Sequence, residues 1–200
     1  MSVLVGKRAP DFTASAVMAD NSIKHNFKLS TYLEDAYGLI FFYPMDFTFV
    51  CPSEIIAFQN RNTAFQAHGA RLVAISVDSE HSHYAWRNTP VEKGGLGQID
   101  FPLVADITKQ IARDYDVLIN SAVALRGLFL IDRDFVVRHQ LVNDLPLGRN
   151  ADEALRMVQA LQYFETEGEV CPAGWTQGER GIEPTTEGVA AFLSEKADQL

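Results

Sequence analysis

GLIFFYPMDFTFVCPSEIIAFQNRNTAF, residues 38–65, switches from one structural pattern to another in the space of a few residues, and that switch decides the fold. Residues 38–43 form a continuous apolar and aromatic run stopped by Pro44, as expected of a strand covered on both faces. From Pro52 onward Ile55, Phe58 and Phe65 recur at helical spacing with Glu54, Gln59 and Arg61 between them, and Gly69 closes the segment. Proline is tolerated only in the first turn of a helix, where its missing N–H breaks no bond. Cys51 therefore sits at a helix start and not inside the helix.

Working outward, residues 71–77 (RLVAISV) are β-branched and apolar and predict a second central strand. Short amphipathic helices are expected around 82–88 and 107–115. Residues 128–131 and 136–142 flank Asp132-Arg133-Asp134, whose acidic residues favour a turn, so these two segments predict an antiparallel hairpin. Asn150 with Glu153 three residues later has the form of a capping box, and Leu155, Val158 and Leu161 mark the buried stripe of the helix that follows. The order strand, helix, strand, helix, hairpin, helix requires helical crossovers for its parallel step. It predicts an α/β chain of thioredoxin-like fold, a central mixed sheet flanked by helices, over residues 1–165. Residues 166–200 form a C-terminal arm: EVCPAGWTQGERGIEPTTEG is rich in Gly, Pro and Thr and reads as irregular, with a short amphipathic helix over 189–196 after it.

The chain has 200 residues, 47% of them hydrophobic and 22% charged, which suits a globular protein with a full-sized core. Lys plus Arg number 17 against 26 Asp plus Glu, and the formal charge of -9 repels nucleic acid and anionic lipid, so neither is an expected partner. The opening MSVLVGKRAPDF lacks the apolar run of a signal peptide and no later stretch is long enough to span a bilayer, which predicts a cytoplasmic protein. Without a phosphate-cradling loop or dinucleotide fingerprint, no nucleotide or flavin cofactor is expected. His81 and His83 have no further ligand cluster beside them; they read as a solvated helix end, and no metal is assigned. Trp86 reads as core, and Glu165, Glu167 and Glu169 as a solvated helix end.

Cys51 and Cys171 are the only cysteines, and in a reducing compartment such a pair argues for catalysis or redox sensing rather than a permanent staple. At a helix start, Cys51 faces unpaired N–H groups and the positive end of the helix dipole, both of which favour a thiolate. Thr48, three residues earlier, can bring its hydroxyl into the same turn as donor and acceptor, and Pro44 can shield the sulfur from water. Arg126, just ahead of the strand at 128, offers the fixed positive charge that favours an ionised sulfur. Taken singly, each has a bland explanation: a buried small hydrophobe, a helix cap, a charge at a strand edge. Their joint occurrence is the signal.

Pro44, Thr48 and Cys51 in YPMDFTFVCPSE resemble the P-x-x-x-T-x-x-C motif of the peroxiredoxins. GEVCPAGW around Cys171 resembles the resolving-cysteine motif of typical two-cysteine members, including the alkyl hydroperoxide reductase C group, and the similarity runs almost end to end. The resemblance implies that Cys51 is the peroxidatic cysteine, that Pro44, Thr48 and Arg126 (in ALRGLFLID) line its pocket, and that Glu54 and Arg149 (in PLGRNADE) orient Arg126. It implies a thiol-specific peroxidase acting on hydrogen peroxide and organic hydroperoxides. It further implies that Cys51 passes through a sulfenic acid to a disulfide with Cys171 of the second subunit in an antiparallel homodimer, with dimers often assembled into rings of ten. The expected reductant of that disulfide is a thioredoxin-like protein or a flavoprotein disulfide reductase. From spacing alone, either a folded-back arm or a second chain can bring the two cysteines together. If Cys51 is buried and Cys171 lies on the arm, the helix turn has to unwind in part. The family's overoxidation-sensitive members carry a GGLG segment and a Tyr-Phe pair in the last helix; here Gly94-Gly95-Leu96-Gly97 is present, but the tail has Phe192 without the tyrosine. An oligomeric holdase chaperone or a peroxide-sensing relay is the alternative; a general dithiol oxidoreductase is disfavoured because the chain lacks C-x-x-C.

Overall fold

The computed structural model describes residues 2–200. Its strands are β1 (Thr13–Val17), β2 (Ile23–Lys28), β3 (Tyr37–Phe42), β4 (Ala70–Ser76), β5 (Leu103–Ala105), β6 (Leu118–Ile119), β7 (Val123–Ala124), β8 (Arg126–Ile131) and β9 (Val137–Asn143). Its helices are α1 (Leu29–Tyr32), α2 (Cys51–Asn60), α3 (Asn62–Ala67), α4 (Glu80–Arg87), α5 (Gln110–Asp114), α6 (Ala151–Glu167) and α7 (Thr186–Lys196). The chain forms two compact units, Met1–Ala151 and Asp152–Leu200. The arm expected over 166–200 lies wholly in the second unit, together with nearly all of α6.

In the first unit seven strands form one mixed sheet in the order β2-β1-β5-β4-β3-β8-β9. β3 pairs in parallel with β4 and antiparallel with β8, and β8 and β9 form the expected hairpin. Every residue of β3 is buried, which is why its sequence lacks alternation: both faces carry core. Phe41 stacks on Phe58 of α2 with ring centroids 4.4 Å apart, whereas Ile40 and Phe42 point into the opposite cluster with Val73, Ile75 and Phe129. Each such buried aromatic contributes about 2–3 kcal/mol of burial. Together they fix where β3 ends and where the chain turns toward Cys51. The thioredoxin-like mixed sheet flanked by helices is the observed architecture.

Several elements differ from the sequence reading, among them the short α1 and the β6–β7 pair, which it does not contain. The helix expected from residue 52 to Gly69 is two helices, because at Arg61 (φ -108, ψ 1) the chain leaves helical geometry and the Arg61 N–H bonds the Phe58 carbonyl at 3.1 Å, a tightened last turn. β1 and β2 are additional: β2 forms one edge of the sheet with β1 beside it, and both are short and bury few residues, so neither carries a strong strand signal. β5 is also additional and, with three residues, too short for a periodicity. Among the described residues no helix is long and apolar enough to cross a membrane.

In the second unit α6 carries the arm. Tyr163 and Trp175 pack with ring centroids 4.9 Å apart, and Arg156 donates to the Trp175 carbonyl at 2.8 Å. The Tyr163 hydroxyl donates to Glu169 at 2.6 Å and accepts from the Gly181 N–H at 3.0 Å. Glu169 is thus half-buried and bonded rather than part of a solvated helix end. Gly181 has to be glycine here, because a β-carbon would come within 2.7 Å of the Tyr163 ring. Thr185 caps α7 by accepting the Gly188 N–H at 2.9 Å.

Candidate active site

β3 ends at Phe42, the loop 43–50 follows, and α2 begins with Cys51 as its first residue and Pro52 as its second. The cysteine therefore occupies the helix start that Pro52 demanded, with no solvent exposure at all. Arg126, the first residue of β8 and also buried, donates from Nη1 to the Cys51 sulfur at 3.4 Å. The same nitrogen donates to Glu54 at 2.5 Å, and Nε donates to the Leu145 carbonyl at 2.6 Å. Held at both ends of its planar fork, this guanidinium has no freedom to swing from the sulfur.

Glu54 lies one turn along α2 from Cys51 and collects four donors: Arg126 Nη1, and from Arg149 the backbone N–H at 2.8 Å, Nε at 2.8 Å and Nη2 at 3.1 Å. Arg149 is anchored further by donation from Nη1 to the Gly127 carbonyl at 2.6 Å and by the Phe41 ring beneath it, 5.3 Å from the guanidinium carbon. Burial pushes the Glu54 carboxyl up, but the Arg149 charge and hydrogen bonds, with the Arg126 charge behind them, outweigh this and hold it below the ordinary carboxylate range. Burial lowers the Arg149 guanidinium from its usual value and Glu54 opposes that; an arginine stays charged throughout. Two guanidiniums and one carboxylate leave this buried cluster with one surplus positive charge. A thiolate at Cys51 neutralises it.

Pro44 is buried and Thr48 half-buried in the loop. Thr48 was expected to serve as both donor and acceptor to a ligand, but its hydroxyl donates to the Met45 carbonyl at 2.9 Å. With its proton directed to the loop backbone, the hydroxyl oxygen keeps acceptor capacity for a further partner.

The reading of His83 as a solvated helix end is corrected. His83 is fully buried: Nδ1 is 2.8 Å from Asp46 Oδ2 and Nε2 is 3.2 Å from the Val104 carbonyl. The Asp46 carboxylate also accepts from Tyr43 at 2.9 Å and Ser82 at 2.7 Å, and the Asp46 N–H donates to Asp78 at 2.9 Å. Both ring nitrogens are engaged by protein oxygens, which leaves none for a metal. The sequence reading missed this network. Its one local signal was the spacing of His83 and Trp86, three apart on α4, which puts the imidazole on the same face as a buried indole. His81, by contrast, is exposed.

Cys171 has other surroundings. It is half-buried and free, and its S–H donates to the Ala160 carbonyl on α6 at 3.4 Å. Burial pushes this thiol up, and the Arg156 charge opposes the push without cancelling it.

A buried sulfur at a helix start, receiving a hydrogen bond from a fixed guanidinium on a thioredoxin-like sheet, defines the class of thiol-dependent peroxidases. The comparisons agree. The AhpC/TSA family matches residues 5–140, and the C-terminal domain of 1-Cys peroxiredoxin matches residues 160–195, although this chain carries a second cysteine within that segment. Alkyl hydroperoxide reductase C of Helicobacter pylori is 58% identical over 198 residues, covering 99% of this chain and 100% of the relative. Peroxiredoxin-2 of Mus musculus is 51% identical over 95% of each chain. The crystal structure of the reduced 2-Cys peroxiredoxin of Plasmodium vivax superposes with a TM-score of 0.93 at 48% identity, covering 96% of this chain and 100% of that one. The chain belongs to the AhpC/TSA family of peroxiredoxins and is a thiol-dependent peroxidase.

Proposed function

We propose that the chain reduces hydrogen peroxide and small organic hydroperoxides with Cys51 as the attacking sulfur and Cys171 as the resolving one. The Cys51 thiolate attacks one peroxide oxygen; the O–O bond breaks, an S–O bond forms, and the leaving oxygen takes a proton to depart as water or alcohol. The Cys171 thiol then condenses with the sulfenic acid, releasing water and forming the Cys51–Cys171 disulfide. An external dithiol, from a thioredoxin-like protein or a flavoprotein disulfide reductase, reduces it by exchange. The carrying observation is the Arg126 Nη1 donor at 3.4 Å from the Cys51 sulfur, held by Glu54 and the Leu145 carbonyl. Such a preplaced cation steadies the ionised sulfur and the charge that develops in the transition state. The Thr48 oxygen accepts the peroxide O–H, and Pro44 helps exclude water.

Because Cys51 has no exposure, the first turn of α2 has to open before the second sulfur reaches it. The disulfide is intersubunit, within a homodimer that builds into rings, and the arm over 166–200 is the segment that delivers Cys171. The acidic chain, with no long apolar helix among its described residues, suits work in the cytoplasm. One equivalent of peroxide added to the reduced protein converts it to a covalent dimer on a non-reducing gel; Cys51→Ser and Cys171→Ser do not convert fully. A monomer band left unaltered in the wild type overturns the intersubunit pairing.

A further inference from the structure

The loop that carries Thr48 holds one residue in a backbone conformation that its side chain disfavours. Phe47 has φ +53, in the left-handed region, where a β-carbon crowds the following carbonyl and which glycine or asparagine ordinarily fills. Asp46 and Phe47 are the central residues of a turn running from Met45 to Thr48, and Asp46 does not share the positive φ. The second central residue of a turn takes a positive φ most readily when it is glycine.

Bonds on both sides keep the residue there. Before it, Asp46 is held through its carboxylate by Tyr43, Ser82 and His83 and through its N–H by Asp78. After it, the Thr48 hydroxyl closes the turn onto the Met45 carbonyl at 2.9 Å. The phenyl ring does little to offset the strain: it is 53% exposed, with a ring contact to Trp86 at 5.8 Å. The neighbouring Phe49 is 98% exposed and adds no packing. Immediately beyond comes the first turn of α2, closed by the Glu54 N–H onto the Val50 carbonyl at a long 3.3 Å. A strained turn thus abuts a weakly closed helical turn with Cys51 in it.

We infer that Phe47 is a positioning residue whose left-handed backbone stores strain in the turn from Met45 to Thr48, and that this strain sets how readily the first turn of α2 opens to release Cys51. When α2 unwinds, the bond from Thr48 to Met45 is free to break and Phe47 relaxes to an ordinary φ, which offsets part of the cost of the lost helical bonds. The inference rests on the reading that Cys51 has to leave its buried seat to meet Cys171.

Phe47→Gly and Phe47→Ala test it, because both remove the ring and differ only in the β-carbon that causes the strain. Hydrogen exchange at the Glu54 and Ile55 amides is expected to be about fivefold slower in the glycine variant than in the alanine variant. Conversion of the Cys51 sulfenic acid to the disulfide should slow by the same factor, while formation of the sulfenic acid proceeds equally in both. Glycine's greater freedom in the open loop works against this difference, so the expected sign is a demanding one. Phe47→Asn, which tolerates the left-handed region while keeping a side chain, should follow glycine. Equal exchange in the glycine and alanine variants, or faster exchange with glycine, overturns the proposal. A wild type that exchanges as expected but forms no disulfide with Cys171 overturns the catalytic cycle instead and leaves the strain intact.

Discussion

Where Cys51 receives a hydrogen bond, from the Arg126 guanidinium at 3.4 Å, Cys171 gives one, to the Ala160 carbonyl at 3.4 Å. The first sulfur is fully buried at the start of α2, inside a cluster with one surplus positive charge. The second is half-buried on the arm, with burial pushing its thiol up. The same chemical group is therefore presented as an acceptor in one unit and as a donor in the other. A guanidinium donor favours the ionised form of a sulfur over the protonated one, whereas donation to a carbonyl requires the S–H. The difference supports the proposed division of roles, in which Cys51 attacks the peroxide and Cys171 resolves the intermediate.

The contrast breaks most completely if the roles are exchangeable. Cys51→Ser should abolish single-turnover peroxide consumption, whereas Cys171→Ser should keep that first step and lose only sustained turnover with a dithiol donor. Equal losses in the two variants would contradict it.

Next in size, Arg126→Met removes the donor to the attacking sulfur and should slow single-turnover peroxide consumption by about 10²–10³-fold, the usual cost of deleting one preplaced donor. Disulfide formation from a preformed sulfenic acid should change far less. A rate within a factor of two of wild type would show that the surplus charge does not matter.

The resolving sulfur is expected to respond to pH. Because burial holds the Cys171 thiol above its ordinary range, it is protonated near neutrality and its attacking form grows as pH rises, by about tenfold per unit below the pKa. Stopped-flow disulfide formation should accelerate accordingly between pH 7 and about 8.5. A flat profile would place the rate limit in the opening of α2.

The smallest expected effect concerns Glu54, whose folded-state pKa is depressed by Arg149 and Arg126. The unfolded value is about 4.3, so its stabilisation is fully present above that pH and is lost as pH falls through the lower folded value. Glu54→Gln should have a lower urea midpoint than wild type at neutral pH, with the gap closing in acid. A gap that stays constant with pH would mean that charge pairing contributes nothing here.

Much of the scaffold was legible because its cause is local. The buried β3, the proline-marked start of α2 and the β8–β9 hairpin each follow from a run, a breaker or a turn signal within a few residues. The short strands β1 and β2 were not legible, since they bury too little to leave a strong pattern, and neither was the three-residue β5. At the site, Cys51, Thr48, Pro44 and Arg126 are candidates by residue type and spacing, with Glu54 and Arg149 added by family likeness. The buried pair of His83 and Asp46 escaped because its partners lie 37 positions apart.

By itself, the sequence determined that a cysteine would stand at a helix N-terminus after a fully buried strand, because proline's missing N–H and the unbroken apolar run permit little else. Only the tertiary structure decided that Arg126, 75 residues away, puts its proton donor on that sulfur, that Glu54 is shared between two guanidiniums, and that the Thr48 proton points at its own backbone. Charge and hydrogen-bond direction depend on which groups meet in space, and separation along the chain does not carry that information.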